Sequence, residues 1–259
     1  MLILRYQSLR IFQTNSMFKA FTNFCLCILL TLPVAGLGQN LQTIPDSSRT
    51  FHWRNFVIPV SLVGIGIYGS LDNHVIDGKE IREERGNYFP NFAHKADNYL
   101  QFAPIPAVFA MDAMGLKSEH SWNQQLVLLG QAQLIMLAMI YPMKSLTKVS
   151  RPDNSSDNSF PSGHTAQAFL GAHFFQKEYG RQYPWAAVGM YTVASGIAVS
   201  RVLNNRHWAS DVFAGAGMGM ASVELSYLLG AHQHSHKYHP MILPSYSDGV
   251  MSCSMLIGL

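Results

Sequence analysis

The chain has 259 residues, of which 48% are hydrophobic and 13% charged, with a formal net charge of +3. That is about half the charge density of an ordinary soluble domain, and the basic surplus is too small and dispersed to serve a nucleic acid. Low charge and long apolar runs point to a membrane, although a mean hydropathy of +0.09 is modest for a chain lying mostly in lipid.

In chain order, "MFKAFTNFCLCILLTLPVAGLGQN" places Lys19 before an apolar run from Phe24 and small residues before Gln39. This is the pattern of a secretory signal, residues 1–38, cleaved near Gly38 and starting at Met17; a retained first membrane helix is the alternative. Cleavage removes Cys25 and Cys27 and leaves Cys253 without a partner for an internal disulfide. Residues 39–100 form an N-terminal extracytoplasmic region. It contains "FVIPVSLVGIGIYGS" (56–70), apolar but short, and a charged stretch, 71–98, whose acidic groups outnumber its basic ones. Within that stretch "DGKEIREERG" lacks the ordered oxygen spacing of a calcium loop and reads as a solvated surface.

Five further apolar segments, 101–115, 122–143, 164–176, 184–200 and 210–231, read as the helices of a core over residues 101–231. Strand alternation is scarce. The expected fold is an all-α helical bundle, membrane-embedded, with an active site at one end of the helices. A span needs about 20 apolar residues. Segments 122–143 and 210–231 reach that length, whereas the one after His164 is shorter and carries Gln167 and His173. Gly215 and Gly219 have the small-xxx-small spacing that lets helices approach closely. Asp112, Gln131, Gln133 and Glu224 interrupt apolar runs and each needs a partner or a cavity. Trp53, Trp122, Trp185 and Trp208 lie near helix ends, as interfacial anchors or as buried packing. Residues 232–259, with His232, His234, His236 and His239, read as a solvated tail rather than a metal site.

Three short pieces carry the chemistry. "KSLTKVSRP" supplies Lys144 and Arg151, "PSGH" supplies Ser162, Gly163 and His164, and "SRVLNNRHWASD" supplies Arg201, His207 and Asp211. Each lies at a helix end or in the loop beside it. Arginine forks onto phosphate oxygens and lysine adds a point charge; taken singly, each cation is as readily a lipid-headgroup anchor. "PSGH" opens a helix, whose free N–H groups favour an anion, with N-capping by Ser162 as a compatible role. His207 and Asp211 are four apart. A carboxylate there accepts from one ring nitrogen and leaves the other with its lone pair, the arrangement of an activated nucleophile. A helix-start aspartate complementing the dipole is the plainer account.

The full set, Lys-x6-Arg-Pro, Pro-Ser-Gly-His and Ser-Arg-x5-His-x3-Asp, occurs complete and in order. It resembles the type 2 phosphatidic acid phosphatase family, which shares its site with acid phosphatases and vanadium haloperoxidases. All eleven specified positions match, between residues 144 and 211; residues 1–100 match only loosely. The resemblance implies a hydrolase with no metal and no cofactor, working through a phosphohistidine. It assigns His207 as nucleophile, Asp211 as the group that fixes its tautomer, and His164 as general acid and then base. Lys144, Arg151, Ser162, Gly163 and Arg201 become the phosphate-binding set.

The expected substrate is a phosphorylated lipid: phosphatidic acid, undecaprenyl diphosphate, phosphatidylglycerol phosphate or a lipid A phosphate. The expected place is a bacterial-type inner membrane with the site facing the periplasm, an orientation the positive-inside rule favours if 56–70 does not cross. A soluble periplasmic acid phosphatase, a vanadium haloperoxidase and a catalytically silent lipid-phosphate binder are the alternatives.

Overall fold

The computed structural model describes residues 52–71, 78–233, 240–247 and 250–257. The signal segment and His234, His236 and His239 of the tail lie outside them. Among the described residues the chain forms eight helices followed by a hairpin. The helices are α1 (Arg54–Leu71), α2 (Gly78–Tyr88), α3 (Asp97–Leu100), α4 (Pro104–Ala113), α5 (Trp122–Thr147), α6 (Gly163–Tyr179), α7 (Pro184–Leu203) and α8 (Ala209–Gln233). The core is the all-α bundle expected from the apolar periodicity. The antiparallel pair β1 (Pro240–Ser247) and β2 (Val250–Ile257) is an addition within the segment expected to be a tail.

α6 is the axis. Nearly every residue from Thr165 to Tyr179 is buried, polar ones included. It is short for a membrane span because α4, α5, α7 and α8 pack around it. Its polar side chains are satisfied inward: His173 meets Tyr191 Oη at 2.5 Å and Glu224 at 2.7 Å, while Lys177 reaches Glu224 at 2.8 Å. Glu224 thus has the partners that its place in an apolar run demands. Asp112 accepts from the Tyr179 hydroxyl, and Gln131 lies 3.5 Å from Ser226 Oγ.

Glycines set the closest approaches. A Cβ at Gly215 would overlap the Ser162 carbonyl oxygen, and one at Gly219 would overlap that of Ala166. The spacing read as small-xxx-small therefore seats α8 directly on the start of α6. On another face, a Cβ at Gly217 would fall 2.5 Å from the Pro59 oxygen, and one at Gly66 would fall 2.5 Å from Ala214 N. α1 consequently runs antiparallel along α8.

That contact changes the reading of residues 56–70. The segment is part of an 18-residue helix, one of four among the described residues (α1, α5, α7 and residues 209–230 of α8) long and apolar enough to cross a membrane. Val57, Val60 and Ile65 on α1, and Leu126, Val127 and Leu134 on α5, are exposed. Such an apolar outer face suits lipid rather than water. Trp53, Trp122 and Trp185 are exposed at one end, the level of an aromatic belt. Trp208 sits at the other end, half-buried, with its indole N–H on Ser150 O at 2.8 Å.

α3 and α4 together run beside α6 from Asn98, which meets His164, to Asp112, which meets Tyr179. Among the described residues three passes, α1, α3–α4 and α5, therefore precede Lys144. The start of α1 and the motif loops lie at opposite ends of the bundle.

The glycine seats give a direct test of this packing. Gly219→Leu is expected to cost about 1–3 kcal/mol by overpacking and to lower the thermal midpoint in detergent. Gly130→Ala, whose Cβ meets nothing within 4 Å, is expected to leave the midpoint near wild type.

Candidate active site

The three motif pieces meet at one end of the bundle. The loop 148–162, the turn 204–208 and the starts of α6 and α8 are joined by hydrogen bonds: Ser162 N donates to Asp211 O at 2.9 Å, and Ser159 N to Val149 O at 2.9 Å. The glycine-mediated seat of α8 on α6 makes the first of these possible, so packing brings "PSGH" and the His–Asp pair together.

Asp211 is fully buried and is the hub. Its Oδ2 accepts from Ser159 Oγ at 2.5 Å and from Trp208 N at 2.8 Å, and lies 3.3 Å from His207 Nδ1. The helix begins at Ala209, so His207 precedes it. The two residues meet across a helix start rather than along one helical face. With Nδ1 turned to a carboxylate, Nε2 keeps its lone pair. Burial pulls His207 below its ordinary pKa, against the pull of Asp211, and Arg201 and Lys144 add to the lowering. That direction favours the neutral ring, the form a nucleophile requires.

His164, at the start of α6, is half-buried. Burial first, then Arg201, His207 and Arg151, pull it down to about 4, with Asp97 opposing. Each of these influences places the named group within electrostatic reach of the ring. Its Nε2 lies 2.8 Å from Asn98 Oδ1.

Three cations stand near the two rings, with Asp97, Asp153 and Asp211 as counter-charges. Lys144 Nζ donates to the carbonyls of Asn158 at 2.6 Å and Ser159 at 3.4 Å. Arg151 is pushed down by burial and by Arg201, and its buried Nε has no partner. Arg201 pairs with Asp97 at 2.8 Å, yet its Nε is also buried without a partner. Unmet buried guanidinium N–H groups are costly and call for an acceptor. Ser162 is the N-cap residue of α6 but makes no side-chain cap bond; its Oγ accepts from Thr165 Oγ1 at 3.0 Å. At Gly163 nothing lies within 4 Å of a notional Cβ, so an oxyanion can approach the backbone there.

All eight residues singled out by the motifs thus lie at this end of the bundle. Ser159, Asp97 and Asn98 also belong here and were not among them. Ser159 stands three residues before Ser162 in a Ser-rich loop that gives no hint of a buried hydroxyl. Asp97 and Asn98 lie in the charged stretch, where a buried aspartate looks like any other acidic residue. Asp97 is only 3% exposed.

Residues 117–234 match the family model of the PAP2 superfamily. Over 148 residues the chain is 43% identical to a lipid A 1-phosphatase of Porphyromonas gingivalis, covering 57% of this chain and 33% of that protein. The chain thus spans about a third of the length of this curated relative. A crystal structure of Aquifex aeolicus LpxE gives a looser likeness, with a TM-score of 0.44 and 18% identity over 57% of this chain and 93% of that one. The likeness is thus to the PAP2 superfamily, the type 2 phosphatidic acid phosphatase family, and it is carried by residues 117–234, which hold all eleven motif positions.

Proposed function

We propose that the protein is a phosphatase that hydrolyses phosphomonoesters or diphosphates of lipids through a phosphohistidine intermediate, with no metal in the reaction. The observation that carries this reading is the gathering of Lys144, Arg151 and Arg201 about His164 and a His207 favoured in its neutral form, with buried guanidinium nitrogens left unpaired. A phosphoryl group supplies the missing acceptors and the missing negative charge. His207 Nε2 attacks phosphorus, the bond to the lipid oxygen breaks, and that oxygen takes a proton from His164. His164 then takes a proton from water, whose oxygen attacks phosphorus and releases inorganic phosphate from the ring nitrogen. Asp211 steadies the cationic His207 ring between the steps. The cations and the Ser162–Gly163 backbone hold the equatorial oxygens, where fixed donors stabilise developing charge.

The apolar outer faces of α1 and α5 favour a membrane-borne substrate over a soluble periplasmic one. Among the lipid phosphates open to such a site, the name of the Porphyromonas gingivalis relative favours a lipid A 1-phosphate. The test is phosphate release from a panel of purified lipid phosphates by the full chain in detergent. His207→Ala is expected to abolish turnover. Lys144→Ala is expected to lower it by about 10²- to 10³-fold, the value of one fixed donor. Equal, mild losses in both variants contradict the assignment.

The site is further proposed to face the periplasm. Because three passes precede Lys144, that orientation needs α1 to begin on the cytoplasmic side, which an exported and cleaved N-terminus does not give. Single cysteines at Glu83 and Arg181, exposed at opposite ends of the bundle, decide between the two once Cys25, Cys27 and Cys253 are replaced by serine. A membrane-impermeant maleimide added to spheroplasts is expected to label Glu83→Cys and spare Arg181→Cys. The reverse pattern places the site in the cytoplasm.

A further inference from the structure

The segment before residue 117 lies outside the family match, yet it reaches the site. It is clamped onto the turn after α7. Arg85 Nε donates to Leu203 O at 2.8 Å and its Nη2 to Phe92 O at 2.9 Å. His94 and Asn204 exchange two hydrogen bonds, His94 N to Asn204 Oδ1 and Asn204 Nδ2 to His94 O, both at 2.9 Å. Asn204 Nδ2 also reaches Asp97 Oδ2 at 3.0 Å. These contacts fix the single turn of α3 over the mouth of the site. Its first two residues then touch two different groups of the motif set: Asp97 holds Arg201 at 2.8 Å, and Asn98 Oδ1 meets His164 Nε2 at 2.8 Å.

We propose that Asn98 is a positioning residue for the reaction, holding His164 Nε2 as a donor so that Nδ1 is the nitrogen that exchanges protons with the leaving oxygen and with water. This rests on the reading of His164 as general acid and base. The chemistry is that of a tautomer lock. An amide oxygen only accepts, so the ring nitrogen facing it carries hydrogen, and the lone pair of the neutral ring falls on the other nitrogen. Asn98 does for His164 what Asp211 does for His207, with one difference. Asp211 is charged and favours the imidazolium. Asn98 is neutral and fixes orientation without raising the affinity for a proton.

That difference matters because His164 must give up its proton as readily as it takes one. The ring is faced by Arg201 from α7, Arg151 from the 148–162 loop, His207 from the 204–208 turn and Asp97 from α3. Asp97 is already engaged by Arg201 and Asn204, and the arginine beside it holds its carboxyl below the usual carboxylate range even though burial pushes the other way. A second carboxylate in place of the Asn98 amide would hold the proton on His164 too tightly.

The test compares Asn98→Ala, Asn98→Asp and, as a control, His207→Ala in the full chain, assayed on one lipid phosphate across pH. Asn98→Ala is expected to lower kcat by about tenfold or more, within the range acid–base help supplies, and to change KM little, since the loss falls on the chemical step. Asn98→Asp, near-isosteric and expected to fold with an unchanged thermal midpoint, keeps the tautomer. It is expected to move the His164 limb of the kcat/KM profile to higher pH by about 1–3 units, the effect of an adjacent carboxylate. A purely structural asparagine would not move that limb. Wild-type or faster turnover in Asn98→Ala overturns the proposal, since it makes the amide a mere competitor for the ring; an unmoved limb in Asn98→Asp also overturns it. Full turnover in His207→Ala overturns the phosphohistidine reading, and the Asn98 role that rests on it. Inactive His207→Ala beside unaltered Asn98 variants refutes the Asn98 role alone.

Discussion

Like charges gathered in a poorly solvated place repel, and that constraint governs this site. Two cations about 6 Å apart in a medium of effective dielectric near 20 cost each other about 3 kcal/mol. Arg201 bears on both imidazoles, Lys144 on His207 and Arg151 on His164, and among the described residues Asp97 alone forms an ion pair with one of the three. A folded chain tolerates such a cluster when the surrounding structure holds it rigidly, and it persists where an anion is to be bound. The depressed His164 is a consequence of the same crowding. A doubly charged phosphoryl group offsets the local positive charge, and in the proposed reaction that offset is what allows His164 to carry a proton when substrate is present.

Rigidity comes from the bundle. α6 and α8 touch through glycines, so the two short motifs at their starts cannot drift apart without separating the helices. Behind that contact, Glu224 ties His173 and Lys177 of α6 to α8, and Glu178 accepts from His120, Gln125 and Tyr227 at the far end. Buried polar groups satisfied in this way hold one arrangement of the helices against sliding alternatives. The site is the exposed end of a clamped axis.

How much of this was legible in the sequence follows from the range of each interaction. The helix positions over 101–231 were, because apolar spacing is local, and their ends moved by only a few residues, whereas α2 and α3 lie in or beside a charged stretch with no apolar spacing to mark them. The eight motif residues were, because their types and intervals are specific. The packing role of Gly215 and Gly219 was, since small residues four apart have few other uses in an apolar helix. Residues 56–70 read as apolar but short, because their length approaches a span only when Arg54, Asn55 and Leu71 join the helix. Asp97 and Asn98 were not legible. Their partners stand 104 and 66 residues away, and nothing in a single chain marks one acidic residue of a charged stretch for burial. Ser159 was missed for the same reason.

The central claim is that a phosphoryl group passes through a covalent bond to His207. Rapid quench of the full chain with a phosphorus-labelled lipid phosphate, followed by alkaline digestion and mass spectrometry, tests it most directly, since phosphohistidine survives base and is lost in acid. The account predicts a phosphate on the peptide containing His207, absent in His207→Ala and accumulating when His164 is removed from the second step. Turnover with no label on that histidine, or label on another residue, contradicts it.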